Sequence, residues 1–177
     1  MRKAISILLL VLSFIIIYFL QANFFSWFTI AGVMPNLFVI LFLFISLYGG
    51  LKVGIPISVI CGLYLDIIIG KTIGTYTIMF GIVAAVGGLL DKRFSKDSKL
   101  TIMLMVMATT AIFEVGVYFY QAIRLSANVE LISFIIKLII EVIYNIILTI
   151  ILYPLIKRAG YRLEREFKQN EVLTRYF

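Results

Sequence analysis

Long apolar runs, broken by short polar or glycine-rich connections, follow one another along almost the whole chain. Arg2 and Lys3 precede the first run, residues 4–20. It is longer than the apolar region of a typical signal peptide. The residues that follow, Gln21-Ala22-Asn23-Phe24-Phe25, offer no small-residue cleavage site, so the pattern predicts an uncleaved first span. Residues 22–35 are uncharged and carry Phe24, Phe25, Trp27 and Phe28. Large aromatics favour the headgroup level, so this segment predicts an interfacial loop or short helix. Pro35 suits the first turn of a helix and predicts a second span over 36–48. Gly49-Gly50-Leu51-Lys52-Val53-Gly54 reads as a turn, after which Pro56 opens a third span that ends near residue 69. Gly70-Lys71-Thr72-Ile73-Gly74 makes the next tight connection. Further spans are predicted over 75–90, 100–123 and 131–156. Between them lie a polar loop at 91–99 and a short one holding Arg124 and Glu130.

A hydrocarbon layer of ~30 Å needs about 20 apolar residues in helical form, so the runs at 36–48 and 56–69 are short. Five spans plus a re-entrant segment is therefore the alternative to six. Composition supports the class: 63% of residues are hydrophobic and mean hydropathy is +1.11, against about 45–50% apolar residues in soluble domains. The fold class expected is all-α, an integral membrane bundle of about six transmembrane helices. Residues 1–156 form the polytopic domain and 157–177 a basic cytoplasmic tail.

Absent residue types narrow the function. There is no histidine, and the one cysteine, Cys61, sits in an apolar run. Serine–histidine and cysteine–histidine catalysis, zinc sites and a disulfide framework are excluded on that ground. No phosphate-binding loop or dinucleotide-binding glycine motif is present. The chain is read as non-enzymatic, with no cofactor and no metal. Its net charge of +7 comes from cations that flank apolar runs, which makes anionic lipid, not nucleic acid, the partner of that charge.

The cations also set an orientation. With the N-terminus inside, the inner segments hold Arg2, Lys3, Lys52, Lys92, Arg93, Lys96, Lys99, Lys157, Arg158, Arg162, Arg165, Lys168 and Arg175. The outer loops hold Lys71 and Arg124, and Lys137 lies within the last span. Thirteen against two is a strong positive-inside bias, so both termini are expected in the cytoplasm.

Four ionisable residues fall inside the predicted spans: Asp66, Glu114, Lys137 and Glu141. Each costs about 2.5–3.5 kcal/mol at a helix centre unless paired or hydrated. In the last span Ser133, Lys137, Glu141, Asn145 and Thr149 recur at i+4 and form one slanting polar ridge, which must face other helices or a partner. Lys137 and Glu141 are spaced for an ion pair along that ridge. The fifth span carries Thr110, Glu114 and Tyr118 at the same spacing, with Glu114 at the depth of Glu141 when the two antiparallel spans are aligned. Lys137 therefore reaches one carboxylate directly, with the second nearby. In the third span Gly54, Ser58, Gly62 and Asp66 are four apart, a groove of small residues with an acid at its outer end. The fourth span echoes it with Thr77, Gly81 and Ala85, and with Ala84 and Gly88, so the two spans are expected to pack tightly. Both readings of these groups stay open: internal helix packing, or a partner and substrate surface. In the tail, Leu163 and Phe167 beside Arg158, Arg162 and Arg165 fit one amphipathic surface turn.

Pro35-Asn36-Leu37, Tyr48-Gly49-Gly50, Gly62-Leu63-Tyr64-Leu65-Asp66 and Gly70-Lys71-Thr72-Ile73-Gly74 together resemble the rod-shape-determining MreD family. The motif-bearing part covers about residues 35–90, and the basic loop after the fourth span and the basic C-terminus agree in layout. The resemblance implies a bacterial inner-membrane scaffold of the cell-elongation machinery. It implies association with a bitopic MreC-like protein and with a RodA-type glycosyltransferase and its class B penicillin-binding partner. MreB filaments would be joined indirectly. It supplies no catalytic residue. The family fold is also similar to the substrate-binding S components of vitamin transporters, which makes a small-molecule uptake subunit the alternative function. Such components dock through small residues on the first span, where this chain has only Ser6 and Ser13 within residues 5–20. An aspartyl-type intramembrane enzyme needs two close carboxylic acids, and Asp66 is the only aspartate in a span.

Overall fold

The computed structural model describes residues 2–69, 73–91, 94, 96–125 and 130–168, without the side chains of 2–4, 124 and 125. The connection at Gly70-Lys71-Thr72, the cations Lys92 and Arg93, the side chains of Arg2, Lys3 and Arg124, and the tail beyond Lys168 lie outside that description. Six α-helices run through the described residues: α1 (Arg2–Phe19), α2 (Leu37–Gly49), α3 (Leu51–Ile68), α4 (Thr75–Asp91), α5 (Lys99–Leu125) and α6 (Leu131–Phe167). The chain is an all-α membrane bundle. Four stretches are long and apolar enough to cross a membrane by themselves: Ile5–Phe24, Leu51–Ile68, Lys99–Ile123 and Leu131–Phe167. The helices α2 and α4 are shorter.

The short α2 forms the core. Val39, Phe42, Leu43, Leu47 and Tyr48 are fully buried, and α2 touches every other helix of the bundle. An element apolar on all sides is one enclosed by neighbours. Around it, α3 packs chiefly on α4, and α5 on α6, while α1 makes few contacts with α2 and α6. A stacked ring series, Tyr76 and Phe80 from α4 with Phe113 from α5, joins the two halves.

Two features differ from the pattern-based expectation, and a third is made more specific. The turn expected over 49–54 shrinks to Gly50 alone, whose φ of +80° is open to glycine at low cost. Its amide donates to the Ser46 carbonyl at 2.9 Å, and α3 starts at once with Leu51. Pro56 thus lies inside α3, not at its start. The aromatic segment expected at the interface follows one π turn, Leu20–Phe24, and turns tightly at Ala31 and Gly32, both at positive φ. It then returns into the bundle, where Asn36 meets α6. Finally, α6 does not end at residue 156: it passes through Pro154 and runs to Phe167, so the first half of the expected tail is helix packed on the bundle.

The two ends of the bundle differ in chemistry. One, called the basic end below, holds the starts of α1, α3 and α5 and the ends of α2, α4 and α6. The other, the aromatic end, carries exposed Phe24, Trp27 and Phe28.

Candidate functional site

Asp66 is 1% exposed and closes the junction of α3 and α4. Its Oδ2 accepts from the Gly74 amide (3.0 Å), the Thr77 amide (2.9 Å) and the Thr77 hydroxyl (2.5 Å). Its Oδ1 accepts from the Tyr76 amide at 2.9 Å. The carboxylate therefore caps the first turn of α4 from the neighbouring helix and complements the positive end of its dipole. One turn earlier, Gly62 lets that first turn approach: a Cβ there would sit 2.7 Å from the Tyr76 carbonyl oxygen and 2.8 Å from Thr77 Cα. Gly62 and Asp66 thus act as one seat for α4.

The α2 start is held in a related way. Helix α2 has 13 residues, about 20 Å in length, too short to cross an apolar layer of ~30 Å, so one of its ends falls inside the layer. Its first amides would be unsatisfied there. The Asn36 amide donates to Asn145 Oδ1 on α6 (2.8 Å), the Leu37 amide to Gln21 Oε1 (3.1 Å), and the Val39 amide to the Asn36 side chain (3.3 Å). Asn145 is fully buried; its Nδ2 donates to Thr110 on α5 at 3.0 Å. The Thr149 hydroxyl bonds back to the Asn145 carbonyl. The polar ridge on α6 therefore faces inward at Asn145 and Thr149.

Toward the aromatic end, Lys137 pairs with Glu114 across α5 and α6 at 3.0 Å. The side chain of Glu114 is 6% exposed and that of Lys137 51%, so the carboxylate is enclosed and the ammonium sits at the rim. Glu141, one turn beyond Lys137, is buried, and its Oε1 has no hydrogen-bond partner among the described residues. The structure thus brings Glu114, Lys137, Glu141 and Asn145 together along one α5–α6 seam. It leaves Asp66 apart, on the α3–α4 junction.

The small residues divide by face. Gly54 on α3 and Gly88 on α4 both meet Ser46 of α2; an added Cβ would lie 2.4 Å from Ser46 Cβ at Gly54 and 2.4 Å from Leu51 Cδ2 at Gly88. The Ser46 hydroxyl donates to the Ala84 carbonyl. Gly81 faces Val59 of α3, where an added Cβ would sit 3.3 Å from Cγ2, closer than ordinary contact, and Ser58 is fully buried with no partner for its hydroxyl among the described residues.

Sequence reasoning missed a second polar cluster, at the basic end. Asp91 takes Lys96 at 2.6 Å and also Lys168. Lys96 bridges on to Glu164, and Lys168 donates to the Leu47 carbonyl at 3.0 Å, at the C-terminal end of α2. Gly160 lies against the Tyr48 ring, over which Lys96 also sits, 5.2 Å from its centroid. Burial pushes the Lys168 ammonium below its ordinary value, against the pull of Asp91. Nearby, the Tyr161 hydroxyl (2.6 Å) and Lys157 (2.9 Å) hold the Asp97 carboxyl below the usual carboxylate range. The available signal was the placing of acids within basic segments: Asp91, Asp97 and Glu164 each stand among lysines and arginines.

An apolar groove with a volume of about 660 Å³ opens between α1, α2 and α6. None of Asp66, Glu114, Lys137, Glu141 or Asn145 lines it.

The family model described as rod shape-determining protein MreD matches residues 1–159. The chain belongs to the MreD family. The match covers α1 to α5 and most of α6, including every residue of the polar seam and both capped helix starts. MreD is a shape-determining, non-catalytic family, so the chain has a role in rod-shape determination. Helices of this apolarity make it a membrane protein of the shape-determining machinery. No curated protein and no solved structure matches the chain. Within an MreD chain, the cap by Asp66 gives a physical reason for the Gly-x-x-x-Asp segment: the glycine admits the next helix and the acid caps it. The Pro35-Asn36-Leu37 opening has a matching reason, because it starts a helix too short to reach the membrane surface.

Proposed function

We propose that this chain is a non-enzymatic scaffold of the cell-elongation machinery in the bacterial inner membrane, with both termini in the cytoplasm. Its outer helix faces hold a bitopic MreC-like protein and, with it, a RodA-type glycosyltransferase and its class B penicillin-binding partner. MreB filaments are joined indirectly. Residues 1–156 form the membrane part, and 157–177 present a cytoplasmic face to anionic lipid. The observation that carries this reading is the division of labour among side chains. The buried polar groups Asp66, Glu114 and Asn145 bond to groups of the chain itself, whereas long apolar faces stay exposed on α1, α3 and α6. Asp66, Gly62, Gly54 and Gly88 in this account are positioning residues, which fix the bundle that presents those faces.

A vitamin-type uptake subunit needs a pocket with a few convergent polar groups. The 660 Å³ groove is walled mainly by leucine, isoleucine and phenylalanine, its polar residues Ser6, Ser13, Tyr48 and Arg162 are few, and it does not reach the polar seam, which favours the scaffold.

The test is in-cell photocrosslinking from outward positions: Ile60 and Ile67 on α3, and Ile139 and Ile143 on α6, all more than half exposed. At least one face is expected to yield an adduct with a bitopic membrane protein of the elongation machinery. Adducts with lipid alone from all four positions, in cells growing as normal rods, would contradict the scaffold reading. So would tight binding of a vitamin by the purified protein.

A further inference from the structure

We propose that the groove between α1, α2 and α6 is a binding site for one anionic glycerophospholipid, with acyl chain in the groove and phosphate on Arg162. The groove is large, about 660 Å³, and it opens sideways because α1 stands off the bundle and makes few contacts. Its polar lining is one-ended. Ser6, Tyr48 and Arg162 all lie at the basic end, while Leu20, Phe24 and Phe25 close the other end. Ser13, the one further polar wall residue among the described residues, spends its hydroxyl on the Leu9 carbonyl at 2.8 Å. An amphiphile with one charged head and an apolar tail matches that distribution.

Charge selects the head. Arg162 is exposed and has no ion pair among the described residues, unlike Lys96, Lys157 and Lys168 on the same end. A guanidinium binds phosphate through paired hydrogen bonds, which makes a phosphodiester with net negative charge the fitting head group. The walls argue against a partner's transmembrane helix as the occupant. Membrane helices seat against one another through small residues. This chain does so at its own interfaces with Gly54, Gly62 and Gly88, where an added Cβ would collide. The groove is lined instead mainly by bulky side chains such as Leu9, Ile16, Ile151 and Leu155, the surface that flexible acyl chains fill.

The experiment uses the full chain in nanodiscs, with a phosphatidylglycerol that carries a photoreactive group on its acyl chain, compared with the same phosphatidylcholine. Phosphatidylglycerol is expected to label peptides of α1 and α6. Arg162→Gln should lower that labelling about tenfold, the scale of one charge-assisted phosphate contact. Arg162→Lys should retain most of it. Arg158→Gln, an exposed cation that does not line the groove, should leave it unchanged. Leu155→Trp fills the groove at an exposed position, so folding is spared while the label is lost. Equal labelling by both lipids with no response to Arg162→Gln overturns the proposal, as does labelling spread evenly over α3 and α4. A co-purified single-pass protein crosslinked at these positions in place of lipid overturns it too.

Discussion

Replacing Asp66 by alanine is expected to detach the start of α4 and lower stability in detergent by about 2–4 kcal/mol. Three backbone amides and the Thr77 hydroxyl lose their common acceptor. A buried donor left without a partner costs about 1–3 kcal/mol, and the loss of a helix cap costs ~1 kcal/mol. Ile73 beside the cap is exposed, so the freed amides at this edge find replacement partners on relaxation, which sets the estimate below the simple total. Asp66→Asn keeps one carbonyl oxygen and should fall between the two. Gly62→Ala acts on the same junction from the other side. Its Cβ meets backbone atoms of Tyr76 and Thr77, which cannot rotate away, so ~1–3 kcal/mol of overpacking is expected. Because both changes open one interface, the double variant should lose less than the sum of the singles. Thermal unfolding with hydrogen exchange at residues 74–77 measures both effects. Full additivity, or unchanged exchange in Asp66→Ala, would show that the cap does not hold α4.

Lys137→Met should be the more damaging half of the α5–α6 pair. It leaves the Glu114 carboxylate, 6% exposed, without its cation and with buried Glu141 close by along the seam. Removing one partner of a buried pair costs about 3–5 kcal/mol. Glu114→Gln is milder, ~1 kcal/mol, because Lys137 is half exposed and its long stem can carry the ammonium toward the aqueous boundary. In the Lys137→Met background, Glu114→Gln should recover most of the stability. A double variant no more stable than Lys137→Met would mean that the unpaired Glu114 carboxylate is not what destabilises Lys137→Met.

The sequence made the membrane class and the helix order plain, because apolar runs and the small residues between them are local features. The i+4 spacing also fixes which helix side Gly54, Ser58, Gly62, Gly81 and Gly88 take, whereas what meets that side is set by the neighbouring elements. Partners were less legible. Lys137 is spaced for Glu141 along one helix, yet it bonds to Glu114 on the next, because the depth match of α5 and α6 outweighs a weak i,i+4 pairing. Asp66 read as an acid at the outer end of a small-residue groove, without its partners, since the amides that it caps lie 8 to 11 residues onward, across a turn. Pro56 and Gly50 misled in opposite ways. A proline that reads as a helix start sits within α3, and one glycine at positive φ does the work expected of six residues. The extension of α6 past residue 156 was hidden for a longer-range reason: Gly160, Leu163 and Lys168 matter through Tyr48, Gly49 and Asp91, which are about 80 to 110 residues away.

Asp66, Glu114, Glu141 and Asn145, each 5% exposed or less, are enclosed by protein, and no water passage is expected to reach them. Cysteine accessibility in sealed vesicles tests this enclosure most directly, in a Cys61→Ser background with Ser58→Cys and Thr110→Cys as buried probes and Ser98→Cys as an exposed control. A small, charged thiol reagent is expected to modify position 98 rapidly and to leave 58 and 110 unmodified from either side of the membrane. Rapid modification at 58 or 110 would reveal a water-filled path through the bundle and contradict it.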